Sequence, residues 1–142
     1  MLHRNASAEW RGNLKLGGGT VSTASGALDE CLFGFRTRFE NDPGTNPEEL
    51  IAAAHAACFS MQLSDLLSKE GYSPERLDVQ AQVSVSVDEV AGATIKTSDL
   101  TVHAKAPGLE PEILDKVARD ASRDCPVSRA LNLEISVIAT VV

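Results

Sequence analysis

The sequence is poor in aromatic residues, in positive charge and in cysteine. Aromatic residues make up 4% of its 142 residues, so any core must rest on aliphatic side chains. The formal net charge of -7 argues against nucleic acid or an anionic membrane surface as the main partner, because both bind clustered lysine and arginine. With no visible export signal, the 3 cysteines argue against structural disulfides and suit core residues, metal ligands or redox nucleophiles.

Long apolar runs, repeats and linkers are also absent from the sequence. Residues 1–11 lack the apolar segment of a signal peptide, so we expect a cytoplasmic protein. The longest apolar stretch, residues 50–59, is too short to span a bilayer and is typical of a buried helix. Length and composition together predict that residues 1–142 form one compact domain that binds neither membrane nor nucleic acid.

The first forty residues show alternating patterns that predict strands. Residues 6–25 alternate weakly on both sides of a glycine run, which indicates a β-hairpin. Residues 32–39 alternate again, with phenylalanines sharing one face. This second pattern predicts a strand from whose other face Arg36 and Arg38 project together.

A strong helix signal follows these strands. Asn46 can cap the helix and Pro47 suits its first turn, while Gly71 can end it after about Glu70. Between residues 50 and 59 the helix is apolar nearly all round, whereas a surface helix has one polar face. We therefore predict a central helix that the rest of the fold encloses.

The next segment predicts a pair of strands. Residues 77–87 alternate cleanly and give the clearest strand of the sequence. Residues 95–106 form its partner, but their alternation changes register, so we expect a β-bulge near Ser98 and Asp99.

The last segment predicts a helix and a final strand. Pro111 opens the helix, and Pro126 ends it. Its apolar stripe consists of Ile113, Leu114, Val117, Ala118, Ala121 and, at the end, Cys125. Residues 133–141 alternate as a strand. The resulting order, β-β-β-α-β-β-α-β, predicts an α+β fold of antiparallel hairpins around helices.

Two of the three cysteines lie in apolar helix positions, which leaves two interpretations open. Cys58 is in the middle of the first helix and Cys125 ends the stripe of the second. A free cysteine is commonly a small core residue, which suits both positions. The arginine pair that precedes the first helix could instead lower a thiol pKa, with the carboxylates at the helix start holding an arginine in place.

Other candidate residues are weaker. His55 is three residues before Cys58 on the same helix face, and with Cys125 it could bind a metal or activate a nucleophile. A structural zinc site has four closely spaced ligands, so a hydrogen-bonded core histidine is the favoured interpretation. Cys31 lies beside two carboxylates that would raise its pKa, and we interpret it as incidental.

Four segments spread over nearly the whole chain carry a resemblance to a known family. They read GTVSTASG (19–26), FGFRTRFE (33–40), GTNPEELIAAAHAACFSM (44–61) and DCPVS (124–128). Together they resemble the osmotically inducible protein C family, which is related to the organic hydroperoxide resistance proteins. The resemblance implies antiparallel sheets wrapped around a central cysteine-bearing helix, in an intertwined homodimer.

The same resemblance implies a thiol peroxidase that reduces organic hydroperoxides and, less efficiently, hydrogen peroxide. Cys58 would be the peroxidatic cysteine and Cys125 the resolving one, and they would form a disulfide. Arg38 would activate the thiolate, with Arg36 as the weaker candidate, and Glu48 would orient the arginine. The resemblance implies no metal or bound cofactor, and a dihydrolipoyl or small-thiol reductant.

Helix geometry adds a prediction about assembly. Glu48 and Cys58 are ten positions apart, which is roughly 15 Å along a straight helix, so one Arg38 would struggle to contact both. Two such helices crossing in antiparallel fashion near Ala53 and Ala54 would bring Glu48 of one chain to Cys58 of the other. We therefore expect a homodimer with active sites at its interface.

Two other classes of function stay open at this point. The chain could be a non-catalytic stress protein, either a thiol redox sensor or a binder of apolar ligands, in which Cys58 would oxidise without turnover. It could also be a metal-dependent hydrolase that uses His55, Cys58 and Cys125, which predicts bound zinc.

Overall fold

The computed structural model describes residues 1–142 and contains six strands and four helices. The strands are β1 (Ala6–Arg11), β2 (Gly18–Thr23), β3 (Cys31–Phe33), β4 (Arg76–Asp88), β5 (Gly92–Lys105) and β6 (Glu134–Val141). The helices are α1 (Phe35–Phe39), α2 (Pro47–Lys69), α3 (Pro111–Asp124) and α4 (Pro126–Ala130). The chain divides into two compact units, Met1–Leu50 and Ile51–Val142.

Strands β1, β2 and β3 form an antiparallel sheet in the first unit, and this confirms the predicted hairpin. Glycine is required inside it, because a Cβ atom at Gly19 would lie 2.2 Å from the carbonyl oxygen of Glu9. The Trp10 and Phe33 rings pack at a centroid distance of 5.5 Å. These contacts hold the sheet together without a buried apolar residue.

The predicted strand over residues 32–39 is wrong beyond Phe33. The chain turns at Gly34 into helix α1, where the Thr37 hydroxyl accepts a hydrogen bond from the Gly34 N–H at 2.8 Å. This local side-chain cap competes successfully with the strand ladder. Arg36 and Arg38 therefore belong to a helical turn and do not project together from a strand face.

Helix α2 begins and ends as predicted, but within one chain it is not enclosed. The Asn46 side chain accepts the Glu49 N–H at 2.8 Å, and Gly71 follows the helix end with φ of 89°. One stripe is buried and consists of His55, Phe59, Leu63 and Leu67. An opposite face is exposed and consists of Ala53, Ala54, Ala57 and Met61. The expected all-round burial is therefore wrong for a single chain.

By length and composition, α2 also has what a membrane-spanning helix needs, although only 22% of its apolar window is buried in the protein. The apolar run is thus longer than the stretch of residues 50–59 suggests. The buried stripe of α2 belongs to the core of the second unit, so we describe α2 as a core helix.

Strands β4, β5 and β6 form the sheet of the second unit. Strands β4 and β5 pair in antiparallel fashion, with a bulge that leaves Lys96 unpaired, two residues before the predicted position. Strand β6 pairs with β5 in parallel, so the expected all-antiparallel arrangement is wrong. Parallel neighbours require a crossover connection, which helices α3 and α4 provide.

The core of the second unit rests on aliphatic residues, as the composition predicts. Helix α3 buries its expected stripe, with Leu114 and Ala121 fully inaccessible and Ile113 partly buried. Cys125 ends this stripe and is itself buried. Pro126 stops α3 and opens α4, a short helix that the sequence analysis did not predict.

Candidate active site

Cys58 and Cys125 are brought together in the second unit. Cys58 lies on α2 and is partly buried, and Cys125 joins the end of α3 to the start of α4. The two thiols are close enough for each to shift the pKa of the other, and neither takes part in a disulfide. The fold therefore brings two free thiols together, which is what formation of a disulfide between them requires.

The surroundings of the two thiols favour different protonation states. Burial raises the pKa of Cys58, and the neighbouring Cys125 adds to that increase. Burial also opposes ionisation of Cys125, but the polar groups beside it, the Cys58 thiol and Ser128, outweigh burial and lower the pKa of Cys125. Within one chain, therefore, Cys125 is the sulfur that carries the negative charge more readily.

Arg38 and Glu48 form a close ion pair in the first unit. The Arg38 Nη2 and Nε atoms donate to Glu48 Oε1 at 2.6 and 3.0 Å, and Glu48 is only 7% exposed. The guanidinium lies 5.2 Å from the centroid of the Phe39 ring. Two charge-assisted contacts to one carboxylate fix the orientation of the guanidinium plane.

Arg36 has a different setting from Arg38. Its side chain is exposed and donates to Glu40 at 3.1 Å and to Asp42 at 3.0 Å. Such exposed ion pairs contribute little and do not hold a guanidinium in one orientation. Of the two arginines, Arg38 is the one with a fixed geometry.

A mostly apolar cavity of about 190 Å³ adjoins the Arg38 side chain. Its wall consists of Trp10, Leu14, Phe33, Gly34, Phe35, Phe39 and Pro47 besides Arg38. The guanidinium is the charged group of this wall. Such a cavity suits a ligand that has an apolar body and one polar group that accepts hydrogen bonds.

His55 is fully buried and hydrogen-bonded, as favoured from the sequence. Its Nδ1 atom lies 2.7 Å from the Ser98 hydroxyl oxygen, and its Nε2 atom lies 2.8 Å from that of Ser128. Burial lowers the pKa of the imidazole. Because both ring nitrogens are engaged by serines, His55 does not join Cys58 and Cys125 as a metal-binding group.

The sequence predicts no role for either of the two serines that bind His55. Ser128 ends the DCPVS segment that carries the family resemblance, but nothing in the sequence indicates that it binds His55. Ser98 gave no signal, because one serine in an alternating strand is ordinary. Cys31 lies in the first unit on β3, where its thiol donates a hydrogen bond to the Asp29 carbonyl oxygen at 4.0 Å.

Comparison with known proteins points to one family. Residues 39–140 match the family described as OsmC-like protein. The chain is 46% identical over 136 residues to peroxiredoxin OsmC of Escherichia coli, covering 95% of this chain and 94% of that protein. It is 29% identical over 119 residues to organic hydroperoxide resistance protein OhrB of Bacillus subtilis, covering 84% and 85%. The crystal structure of OhrB from Bacillus subtilis is similar, with a TM-score of 0.71, 25% identity and 96% and 98% coverage.

Proposed function

The chain belongs to the OsmC-like protein family and is a cysteine-based peroxidase, and we propose that it reduces organic hydroperoxides through Cys58 and Cys125. Hydrogen peroxide would be a poorer substrate. The observation that carries this proposal is that two free thiols from distant parts of the sequence are close enough to shift each other's pKa. Such a pair can give up two electrons by forming one disulfide, and this chemistry needs no metal or bound cofactor.

The proposed reaction has three steps. The Cys58 thiolate attacks the distal oxygen of the hydroperoxide, the O–O bond breaks, and the alcohol leaves after taking a proton. Cys58 is then a sulfenic acid. The Cys125 thiolate attacks its sulfur, the S–O bond breaks, and hydroxide leaves as the disulfide forms. A dihydrolipoyl dithiol, or two equivalents of a small thiol, then reduces the disulfide by thiol exchange; the reductant becomes a disulfide and both cysteines return to the thiol state.

The first step needs a positive charge near Cys58. Within one chain the pKa of Cys58 is raised by burial and by its neighbour, so the nucleophile lacks the thiolate form that it requires. A guanidinium beside its sulfur would reverse this preference, because arginine stays charged at any relevant pH. We assign this role to Arg38, held in place by Glu48.

The position of Arg38 and Glu48 supports a shared site in a homodimer. Ten residues of α2 separate Glu48 from Cys58, so we propose that the ion pair of one chain serves Cys58 of a second chain. The exposed alanine face of α2 would allow two such helices to approach closely, since alanine side chains are small. An intertwined dimer would cover this apolar face and remove its contact with water.

The cavity beside Arg38 supports an apolar hydroperoxide as the substrate. Its aromatic and aliphatic wall would hold an alkyl or aryl group, and the guanidinium would donate hydrogen bonds to the peroxide oxygens. As negative charge develops on the leaving oxygen, these hydrogen bonds strengthen. Hydrogen peroxide has no apolar group to fill the cavity and would gain less binding energy.

The test is consumption of cumene hydroperoxide with a dithiol reductant. We expect Cys58→Ser to lower turnover on the order of 10³-fold or more, since no other group can replace the nucleophile. Cys31→Ser is the matched control and should keep wild-type turnover. Full turnover by Cys58→Ser would refute the proposal, and oxidation of Cys58 without sustained turnover would favour a redox sensor instead. Normal turnover by Cys125→Ser would refute only its resolving role.

A further inference from the structure

The Asn46 side chain joins the two elements that carry Arg38 and Glu48. Its Nδ2 atom donates to the Thr37 carbonyl oxygen of α1 at 3.0 Å, and its Oδ1 atom accepts the Glu49 N–H of α2 at 2.8 Å. Thr37 is the residue before Arg38, and Glu49 is the residue after Glu48. One amide is therefore bound on each side to a direct neighbour of the ion pair.

Both hydrogen bonds of this amide occupy helix ends. The first turn of a helix leaves N–H groups without intrahelical partners, and the last turn leaves carbonyl groups without them. The Oδ1 atom serves the first turn of α2, and the Nδ2 atom serves the last turn of α1. An N–H group needs an acceptor and a carbonyl needs a donor, so only one orientation of the amide satisfies both. Asparagine supplies both atoms on one short side chain.

Helix α1 depends on such contacts because it is only 5 residues long. A helix of that length is not stable by itself in water. The Thr37 hydroxyl binds the start of α1, accepting the Gly34 N–H at 2.8 Å and donating to the Gly34 carbonyl oxygen at 3.0 Å. The Arg38–Glu48 pair and the Asn46 amide are the side-chain hydrogen bonds that join α1 to the start of α2. Asn46 therefore holds α1 where Arg38 can meet Glu48.

We propose that Asn46 is a positioning residue for Arg38: its amide fixes α1 against the start of α2 and so keeps the guanidinium paired with Glu48 in the orientation that the first chemical step requires. This inference rests on the proposed peroxidase function. It adds Asn46 to the residues on which oxidation of Cys58 depends. Asn46 acts through Arg38 and is not itself a catalytic residue.

The first step depends on where the guanidinium is placed as well as on its charge. Donors stabilise a thiolate and a leaving oxygen only from fixed positions, and small displacements of such groups lower rates strongly. The Glu48 side chain is 8% exposed, whereas that of Arg38 is 32% exposed. Water can therefore replace the carboxylate as the partner of Arg38 whenever α1 moves away from α2. Removing the Asn46 contact should make such openings of the ion pair more frequent.

Substitution of Asn46 by serine separates positioning from helix capping. Serine and aspartate are as favourable as asparagine at the start of a helix, so Asn46→Ser keeps the acceptor for the Glu49 N–H. Its hydroxyl ends one bond short of the Nδ2 position and does not reach the Thr37 carbonyl. Asn41 lies in the same connection between α1 and α2, is exposed, and forms no side-chain hydrogen bond. Asn41→Ser is therefore the matched control.

The first measurement is the rate at which cumene hydroperoxide oxidises Cys58 in stopped flow. We expect Asn46→Ser to lower this rate about fivefold, because one hydrogen bond of ordinary strength is lost, and Asn41→Ser to keep it. In an Arg38→Ala background Asn46→Ser should have no further effect, since nothing is left to position. No loss in the wild-type background, or the same loss in both backgrounds, would overturn the proposal. Asn46→Asp also keeps the cap and lacks the donor, so it takes the place of a serine variant that does not fold.

The second measurement does not depend on turnover. The Arg38 Nε–H group donates to Glu48 at 3.0 Å, and nuclear magnetic resonance can follow its exchange with water, with Arg38→Lys identifying the signal. Asn46→Ser should speed this exchange about fivefold, and Asn41→Ser should not change it. Unchanged exchange in Asn46→Ser would contradict the proposal. Absence of peroxide consumption in the wild type would contradict the proposed function instead, and the exchange rates would still decide whether Asn46 positions Arg38.

Discussion

The two compact units of the chain differ in how far their apolar side chains are buried. All 13 buried hydrophobic residues lie in residues 51–142. In residues 1–50 the only buried residues are Thr45 and Glu48, while Leu14 and Leu16 are 63% and 89% exposed. One unit therefore has a core of its own, and the other has sheet hydrogen bonds and aromatic contacts but no core.

The residues of the proposed reaction are divided between the same two units. The unit with a core holds the two thiols, which need a protected setting, and the unit without one holds Arg38, Glu48 and the apolar cavity. A region that leaves its apolar surface uncovered is typical of a segment that packs against a partner chain. We infer that this difference reflects one active site assembled from two copies of the chain.

Mixing two inactive variants gives the largest expected effect. Arg38→Ala should lower peroxidase turnover on the order of 10²-fold, because the charge beside the nucleophile is lost. Cys58→Ser is inactive for a different reason. If the site is shared, chains co-refolded in equal amounts form mixed dimers with one complete site, and about one quarter of wild-type activity returns.

The same mixture distinguishes a shared site from a local one. If Arg38 served Cys58 of its own chain, neither variant could complement the other, and the mixture would be as inactive as its components. Arg38→Lys in place of Arg38→Ala tests the geometry, since a lysine keeps the charge but not the fork that pairs with Glu48.

A charge on the exposed face of α2 should separate the dimer. Ala53 is exposed in one chain, so Ala53→Glu should leave the fold of that chain intact. In a dimer whose helices cross there, two carboxylates would be buried without partners, which is strongly unfavourable. We expect sedimentation to report monomers and turnover to fall to the level of Arg38→Ala. Ala91→Glu, in the exposed turn between β4 and β5, should remain dimeric and active.

Neighbouring glutamates at the start of α2 provide a finer comparison. Glu48 is buried and binds Arg38, whereas Glu49 is exposed and accepts a hydrogen bond from Thr45 at 2.8 Å. Glu48→Gln should lower the rate of Cys58 oxidation about tenfold, because the neutral amide no longer fixes the guanidinium. Glu49→Gln should stay within about twofold of wild type. Equal rates in stopped-flow oxidation of both variants would contradict the orienting role.

Much of the fold was predictable from local patterns. Strand β4 and the apolar stripe of α3 follow alternation and helical spacing, and the caps of α2 follow from Asn46 and Gly71. The family resemblance, read from four segments, is confirmed. These features depend on residues close together in sequence, so the sequence contains the information directly.

The remaining features depend on tertiary contacts. The parallel pairing of β6 is decided by the crossover through α3 and α4, which alternation alone does not reveal. The one-sided burial of α2 reflects what covers it in space, and apolar composition cannot distinguish a core from an interface. The hydrogen bonds of His55 with Ser98 and Ser128 join residues 43 and 73 positions apart, so no local pattern could predict them.

The smallest expected effect concerns the one histidine inside the core of the second unit. Burial lowers the pKa of His55. Between the lowered folded pKa and the unfolded pKa, the imidazole of the unfolded chain binds a proton and that of the folded chain does not. As the pH falls below the unfolded value of about 6.5, the free energy of unfolding should therefore decrease, by at most about 1.4 kcal/mol per pH unit, until the lowered folded pKa is reached. Above that window the histidine adds no pH dependence.

His55→Gln isolates this contribution, because its glutamine cannot titrate. The variant should be less stable than wild type at pH near 7, since one buried serine loses its partner. Urea unfolding at successively lower pH should show the difference between the two proteins shrinking, because only the wild type loses stability through the imidazole. The carboxylates titrate equally in both proteins and cancel in the comparison. A difference that stayed constant with pH would mean that the folded chain binds a proton at His55 as readily as the unfolded chain does, which would contradict the lowered pKa of His55.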